Sequence, residues 1–285
     1  MPLYKKFKQN YFEPMMQVRN SNLIFYAQAT EHFTHKRALF TKPTYTGTTT
    51  TGSCKRIKKA VDILCQVSPP IRIFNPVTQA TEMHTLSFIT LTIPGKEKRL
   101  TAKEGYDLLL SKWLRKMRSS YGLKSYIWKA EFQKNGQLHY HITTNSWIHY
   151  KDIRNEWNTI LQVGGMLSEW KKVKPDTMPN STDVHKVYKV KNIQAYLAKY
   201  LAKDDPLHKT KGKIWDCSLN IKKAKFFAIQ VPNDLENYLP KNKIEYFDRI
   251  GILKTVTPLD YIPPKNKEQY YEWRKGITEQ QETDK

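Results

Sequence analysis

The sequence predicts an α+β domain, with a largely antiparallel sheet and helices packed on it. Three observations carry that expectation. Leu86-Ser87-Phe88-Ile89-Thr90-Leu91-Thr92-Ile93 is rich in β-formers on both faces, as a central strand requires. Asn135-Gly136 joins two strand-like runs and signals a hairpin. Amphipathic helical segments separate these pieces, so the order reads strand, helix, hairpin, helix, strand, helix.

Residues 1–54 are polar and irregular and contain the tract Thr44-Tyr45-Thr46-Gly47-Thr48-Thr49-Thr50-Thr51-Gly52, which reads as part of a flexible basic arm. Lys55 to Val67 places Ile57, Ala60, Val61, Ile63 and Leu64 at helical spacing and stops before Pro69-Pro70. A short strand, Ile71 to Phe74, leads to a long one, Met83 to Ile93. Thr101, with Glu104 three residues on, forms a capping box for a helix whose apolar stripe is Leu108, Leu109, Trp113, Leu114 and Met117. The hairpin Ser125 to Asn145 follows, then a helix from about Tyr150 to Leu161 with Ile153, Trp157, Ile160 and Leu161 inward, ended by Gly164-Gly165. Thr182 to Val190 alternates as a strand, and Asn192 to about Lys203 is helical. The domain therefore spans residues 55–220. Residues 221–285 form a C-terminal extension with one strand, Lys225 to Val231, and a polar tail from Lys275.

A net charge of +22, from 48 Lys and Arg against 26 Asp and Glu, exceeds what solubility needs and would attract a polyanion. The basic residues are interspersed with 7 Trp and 17 Tyr, whose faces suit unpaired bases, so single-stranded nucleic acid is the expected partner. Trp215, Lys222, Lys223 and Lys225 add further candidate contacts. No apolar run is long enough for a membrane span, and Met1 to Asn20 lacks a signal-peptide core, which points to the cytosol. Cys54, Cys65 and Cys217 have no metal-ligand spacing and read as free thiols. Gly47-Thr48-Thr49-Thr50-Thr51-Gly52-Ser53 has the glycines of a phosphate-binding loop but lacks its lysine and preceding strand, which argues against an NTPase motor.

His139-Tyr140-His141 puts two imidazoles on one side of a strand. Whether Glu131 joins them depends on the turn. A two-residue loop turns Glu131 away, whereas a three-residue loop, Lys134 to Gly136, sets it opposite His139 and needs Gly136 left-handed. The second register is the expected one. It gives three ligands for Mg²⁺ or Mn²⁺, with positions left for a phosphate oxygen and water. Such a pair of histidines is otherwise a packing or solvent-facing feature. His84, His149, His185 and His208 read as surface or core residues, with His185 able to approach the site.

Tyr196, Lys199, Tyr200 and Lys203 share one side of a helix beside the apolar stripe Ile193, Leu197 and Leu201. They are either aromatics at the edge of a core, or phenols placed to attack a phosphodiester with ammonium groups stabilising the charge.

Taken in order, Phe88-Ile89-Thr90-Leu91-Thr92, His139-Tyr140-His141 and Tyr196-x-x-Lys199-Tyr200-x-x-Lys203 resemble the HUH endonuclease superfamily, and more narrowly the two-tyrosine rolling-circle replication initiators of small single-stranded DNA phages. The resemblance covers about residues 84–220. It implies an RRM-like palm with a five-stranded antiparallel sheet, a divalent metal held by His139, His141 and Glu131, and Tyr196 and Tyr200 as nucleophiles with Lys199 and Lys203 beside the phosphate. It further implies nicking and rejoining of a DNA strand at a replication origin through a 5′-phosphotyrosine, in the cytoplasm of a bacterial host whose helicase and polymerase complete replication. Plasmid relaxases and single-strand transposases share such a site, and a non-catalytic single-strand-binding protein would share the composition.

Overall fold

The structure is a computed structural model and describes residues 12–29, 49–75, 78–95, 97–187, 197, 199, 201, 210–240, 243–247, 250–255 and 257–279. The chain divides into two units, Tyr45–Lys222 and the pair of segments Met1–Thr44 and Lys223–Lys285. Elements are numbered along the whole chain.

In the central unit, α1 (Thr51–Gln66) is followed by the two-stranded β3 (Ile71–Asn75) and β4 (Ala80–His84). A five-stranded sheet is then built from β5 (Ser87–Thr92), β6 (Tyr126–Phe132), β7 (Leu138–Thr144), β8 (Thr182–Lys186) and β9 (Trp215–Cys217). Its order is β8-β5-β7-β6-β9 and every neighbour pair is antiparallel. The α+β class and the five-stranded antiparallel sheet are as expected.

One sheet face is apolar. Ile89 and Leu91 of β5, Trp128 of β6, and Tyr140 and Ile142 of β7 pack in one core with Trp113 and Met117 of α2 (residues 102–121) and with Ile153 and Trp157 of α3 (Tyr150–Val163). The capping box forms as read: the Thr101 hydroxyl accepts from Glu104 N–H at 3.2 Å, and the Glu104 carboxylate accepts from Thr101 N–H at 2.8 Å. The helix passes through a π-turn at Tyr106–Leu110. Leu108, assigned to its buried stripe, is 42% exposed, and Leu110 is buried instead. At roughly 100° per residue Leu108 lies far round the helix from Trp113 and Met117, whereas Leu110 lies with them. The short α4 (Ser168–Val173) follows α3, and α5 (Leu219–Lys223) follows β9.

Several boundaries move. The end of the Thr-rich tract starts α1 rather than remaining irregular, because the Thr50 hydroxyl accepts from Ser53 N–H at 3.1 Å and makes Thr50 an N-cap; Thr44 to Thr48 lie outside the described residues. The long strand from Met83 is two strands, β4 pairing with β3 and β5 lying between β7 and β8. β8 ends at Lys186. The helix expected from Asn192 is described only at Leu197, Lys199 and Leu201, which are helical.

Reading residues 1–54 as a flexible arm and 221–285 as an extension needs correction. β1 (Phe12–Val18) and β2 (Asn22–Ala29) pair with each other, and with β10 (Ala228–Gln230), β11 (Ile244–Phe247) and β12 (Ile250–Lys254) they form a second five-stranded sheet, ordered β10-β1-β2-β12-β11. Met16, Val18, Leu23 and Phe25 are fully buried in a core with Phe227, Leu253 and Tyr270, the last from α6 (Pro264–Glu279). Neither segment can bury its apolar face alone, so the core exists only when both ends of the chain meet. Among the described residues no helix is long and apolar enough to cross a membrane.

Candidate active site

The β6–β7 turn adopts the three-residue form. Gln133 and Gln137 close it with a Gln133 N–H to Gln137 carbonyl bond of 2.8 Å, and Gly136 N–H donates to Gln133 at 2.8 Å. Gly136 is left-handed, with φ of 82°, and the Asn135 carboxamide accepts from Gln137 N–H at 3.0 Å. Glu131 therefore stands directly opposite His139. An L side chain at residue 136 would be strained by that φ and would press a Cβ to 3.0 Å from Arg99 Nε. Gly136→Val is expected to cost about 1–2 kcal/mol of stability, read from the urea midpoint. An unchanged midpoint would mean that the turn does not need this conformation.

Residues directly opposite on antiparallel strands share a face, so register places side chains in rows. One row runs Glu131, His139, Thr92; the next runs Trp215, Lys129, His141, Thr90, Asp183. This face lies opposite the apolar core. His141 Nε2 is 3.4 Å from the Glu131 carboxylate and its Nδ1 is 3.2 Å from the Thr90 hydroxyl. His139 Nε2 is 2.9 Å from the Thr92 hydroxyl. The imidazoles meet edge-on with centroids 5.8 Å apart, and Phe88 stacks on His141 at 5.3 Å. Thr90, Thr92 and Phe88 thus orient the histidines. The alternation of Phe88-Ile89-Thr90-Leu91-Thr92 carried that signal.

Lys129 was not anticipated. Its side chain is only 4% exposed and its ammonium lies 3.2 Å from Glu131. A lysine two residues from Glu131 must share its face, which was the available clue. Burial works against ionisation of Glu131, but the hydrogen bond from His141 and the Lys129 charge outweigh it and hold the carboxyl at about 2. Burial, reinforced by the neighbouring His141, lowers the His139 imidazole to about 4, so at neutral pH it carries a free lone pair.

These properties suit a divalent cation: a neutral imidazole, an ionised carboxylate and a second imidazole on one face. The side chains are not arranged as a finished cage. Among the described residues no three His, Cys, Asp or Glu side chains already converge to hold an ion, and His139 Nε2 faces Thr92 instead. The donors fit chemically: with Nε2 engaged by Thr92, His139 would offer its other ring nitrogen, Nδ1, to the ion.

Lys199 is helical and exposed, and its neighbours Leu197 and Leu201 are buried. Tyr196, Tyr200 and Lys203 lie outside the described residues, as does His208. His185 pairs with Asp183 at 2.8 Å and stays on the surface, whereas His149 caps α3. His84 is buried, with Nε2 3.3 Å from the Asn145 carbonyl, and burial keeps it below the ordinary imidazole value despite that contact.

Both depressed imidazoles make stability fall with acid. An unfolded imidazole takes a proton near 6.5, whereas folded His139 holds out to about 4 and folded His84 also lies below 6.5. In that window the unfolded chain binds more protons, so lowering pH through it removes stability. In metal-free buffer the urea midpoint is expected to drop between about pH 7 and pH 5, and to drop less in His84→Asn. Equal drops in the two proteins would remove His84 from the account.

Residues 86–205, less than half of the chain, match the family of replication-associated protein ORF2/G2P, a family of rolling-circle replication initiators. No curated protein and no solved structure matches the chain. The matched segment contains β5 to β8, the histidine pair, Glu131, and the segment with Tyr196 and Tyr200.

Proposed function

We propose that the chain is a replication initiator that nicks and rejoins single-stranded DNA at an origin, with a tyrosine as nucleophile and a divalent metal, Mg²⁺ or Mn²⁺, as cofactor. The observation that carries this reading is the register that sets Glu131, His139 and His141 on one sheet face, within a segment similar to replication-associated proteins. The charge of +22 supports a DNA partner.

The metal, when bound by His139, His141 and Glu131, supplies polarisation of the scissile phosphate. The chain supplies the rest. The phenol oxygen of Tyr196 or Tyr200 attacks phosphorus and loses its proton, the bond from phosphorus to the 3′ oxygen breaks, and that oxygen leaves as a hydroxyl after taking a proton. The 5′ phosphate stays on the tyrosine. The phosphotyrosine keeps the energy of the bond that it replaced, so rejoining by a 3′ hydroxyl requires no nucleotide hydrolysis. Lys199 and Lys203 stabilise charge on the phosphate, and the second tyrosine allows a second transfer. Strand separation and synthesis then fall to a helicase and polymerase of the bacterial host, in its cytoplasm.

The test is incubation with labelled single-stranded origin oligonucleotides and Mn²⁺, followed by denaturing gel electrophoresis. A labelled adduct that survives detergent is expected. Tyr196→Phe and Tyr200→Phe should each still form it, and the double variant should not. Absence of adduct with every metal and origin strand would leave a binding protein without chemistry.

A further inference from the structure

Beyond the histidine face, the central unit has a cleft of about 350 Å³ between α1 and β9. Its walls include Arg56 and Lys59 of α1, Trp215 and Asp216 of β9, and the flanking Lys213 and Lys222. Four cations meet one carboxylate there. Counted over these lining side chains the formal charge is positive, with Asp216 held by Lys213 at 3.0 Å and by Lys222 at 3.1 Å. Cys217 adds no anion, since burial, then the Asp216 charge, push its thiol up to about 12. Ala60, Ile214 and Ile221 give the cleft an apolar lining.

Its position is as informative as its composition. Trp215 stands directly opposite Lys129, Lys129 stands opposite His141, and the Lys129 ammonium touches Glu131 at 3.2 Å. Trp215 therefore shares the sheet face of the histidine pair, two strand spacings or roughly 10 Å from His141. One extended DNA strand can occupy both places. A single indole with clustered cations suits one unpaired base and its phosphates, and a cleft of this size between a helix and an edge strand does not admit a duplex.

We propose that this cleft binds an unpaired nucleotide of the DNA strand next to the scissile phosphate, with the base against Trp215 and the phosphates among Arg56, Lys59 and Lys222. The inference rests on the reading of the chain as an enzyme of single-stranded DNA, and it assigns the place where that strand is gripped outside the chemistry. Gripping there would hold the scissile phosphate at the histidines.

The experiment is fluorescence anisotropy of a labelled oligothymidylate of about twenty nucleotides with the full-length chain in EDTA, which removes metal chemistry from the readout. Trp215→Ala is expected to bind about tenfold more weakly, and Trp215→Phe to keep most of the affinity. The wild type should prefer the oligothymidylate to an abasic strand of the same length by a similar factor, and Trp215→Ala should lose that preference. Arg56→Ala should lower the salt dependence by about one counterion. Trp215→Ala binding within about twofold of wild type, or a base preference that survives in it, overturns the proposal. Binding that depends on Trp215 in a wild-type chain that forms no adduct would sink the nicking reading and leave the cleft standing. Adduct formation with Trp215-independent binding would do the reverse.

Discussion

His139→Ala and His141→Ala are each expected to slow adduct formation about a thousandfold, the consequence of losing several kcal/mol of stabilisation on the scissile phosphate. The two positions should not fail alike at the margins. His141 touches Glu131 at 3.4 Å, so its removal also frees the carboxylate to turn towards Lys129. His139 touches the Thr92 hydroxyl at 2.9 Å, so Thr92→Val keeps the imidazole and loses its guide. That variant should need about ten- to hundredfold more Mn²⁺ for half-maximal adduct and recover at saturation, as a change beside a ligand does. His141→Ala should not recover at any Mn²⁺ concentration. The adduct rate against Mn²⁺ concentration measures all three. A His139→Ala protein that reacts at the wild-type rate would return the pair to ordinary surface histidines.

The parts of this site that could be read from sequence are the local ones. Asn135-Gly136 and the need for a left-handed residue fix the hairpin register within a few residues, and the register alone decides that Glu131 meets the histidines. The Thr101 capping box is similarly local. What escaped depends on distant partners. Met16 pairs with Ile229 and Phe25 with Gly251, so the joining of the two terminal segments into one sheet has no short-range signature. Pro14 and the polar residues around β1 further disguise it. β9 has three residues, too few for a periodic pattern, yet it completes the site's sheet and brings Trp215 opposite Lys129. Lys129 is one of 48 Lys and Arg in the sequence. Only the packed structure shows it buried beside Glu131.

Trp157→Ala is the stability counterpart. Trp157 is fully buried on α3, meets Tyr140 edge-on at 6.1 Å, and donates its indole N–H to the Thr92 carbonyl at 3.0 Å. Removing the ring leaves a cavity between helix and sheet and an unpaired carbonyl, at a cost of about 3–5 kcal/mol. Against the ~5–15 kcal/mol that holds a typical domain folded, this leaves a marginal protein. Trp157→Phe separates the two contributions, because it fills much of the space and deletes only the N–H donor, for about 1–3 kcal/mol. The same bond ties packing to chemistry, since the residue whose carbonyl it holds is the one whose hydroxyl faces His139. Trp157→Phe is therefore expected to raise the Mn²⁺ requirement for adduct formation while the chain remains folded, as followed by urea midpoint and circular dichroism. A Trp157→Ala midpoint shifted by less than about 1 kcal/mol would mean that α3 does not anchor the end of β5, and that the histidine face is positioned by the hairpin alone.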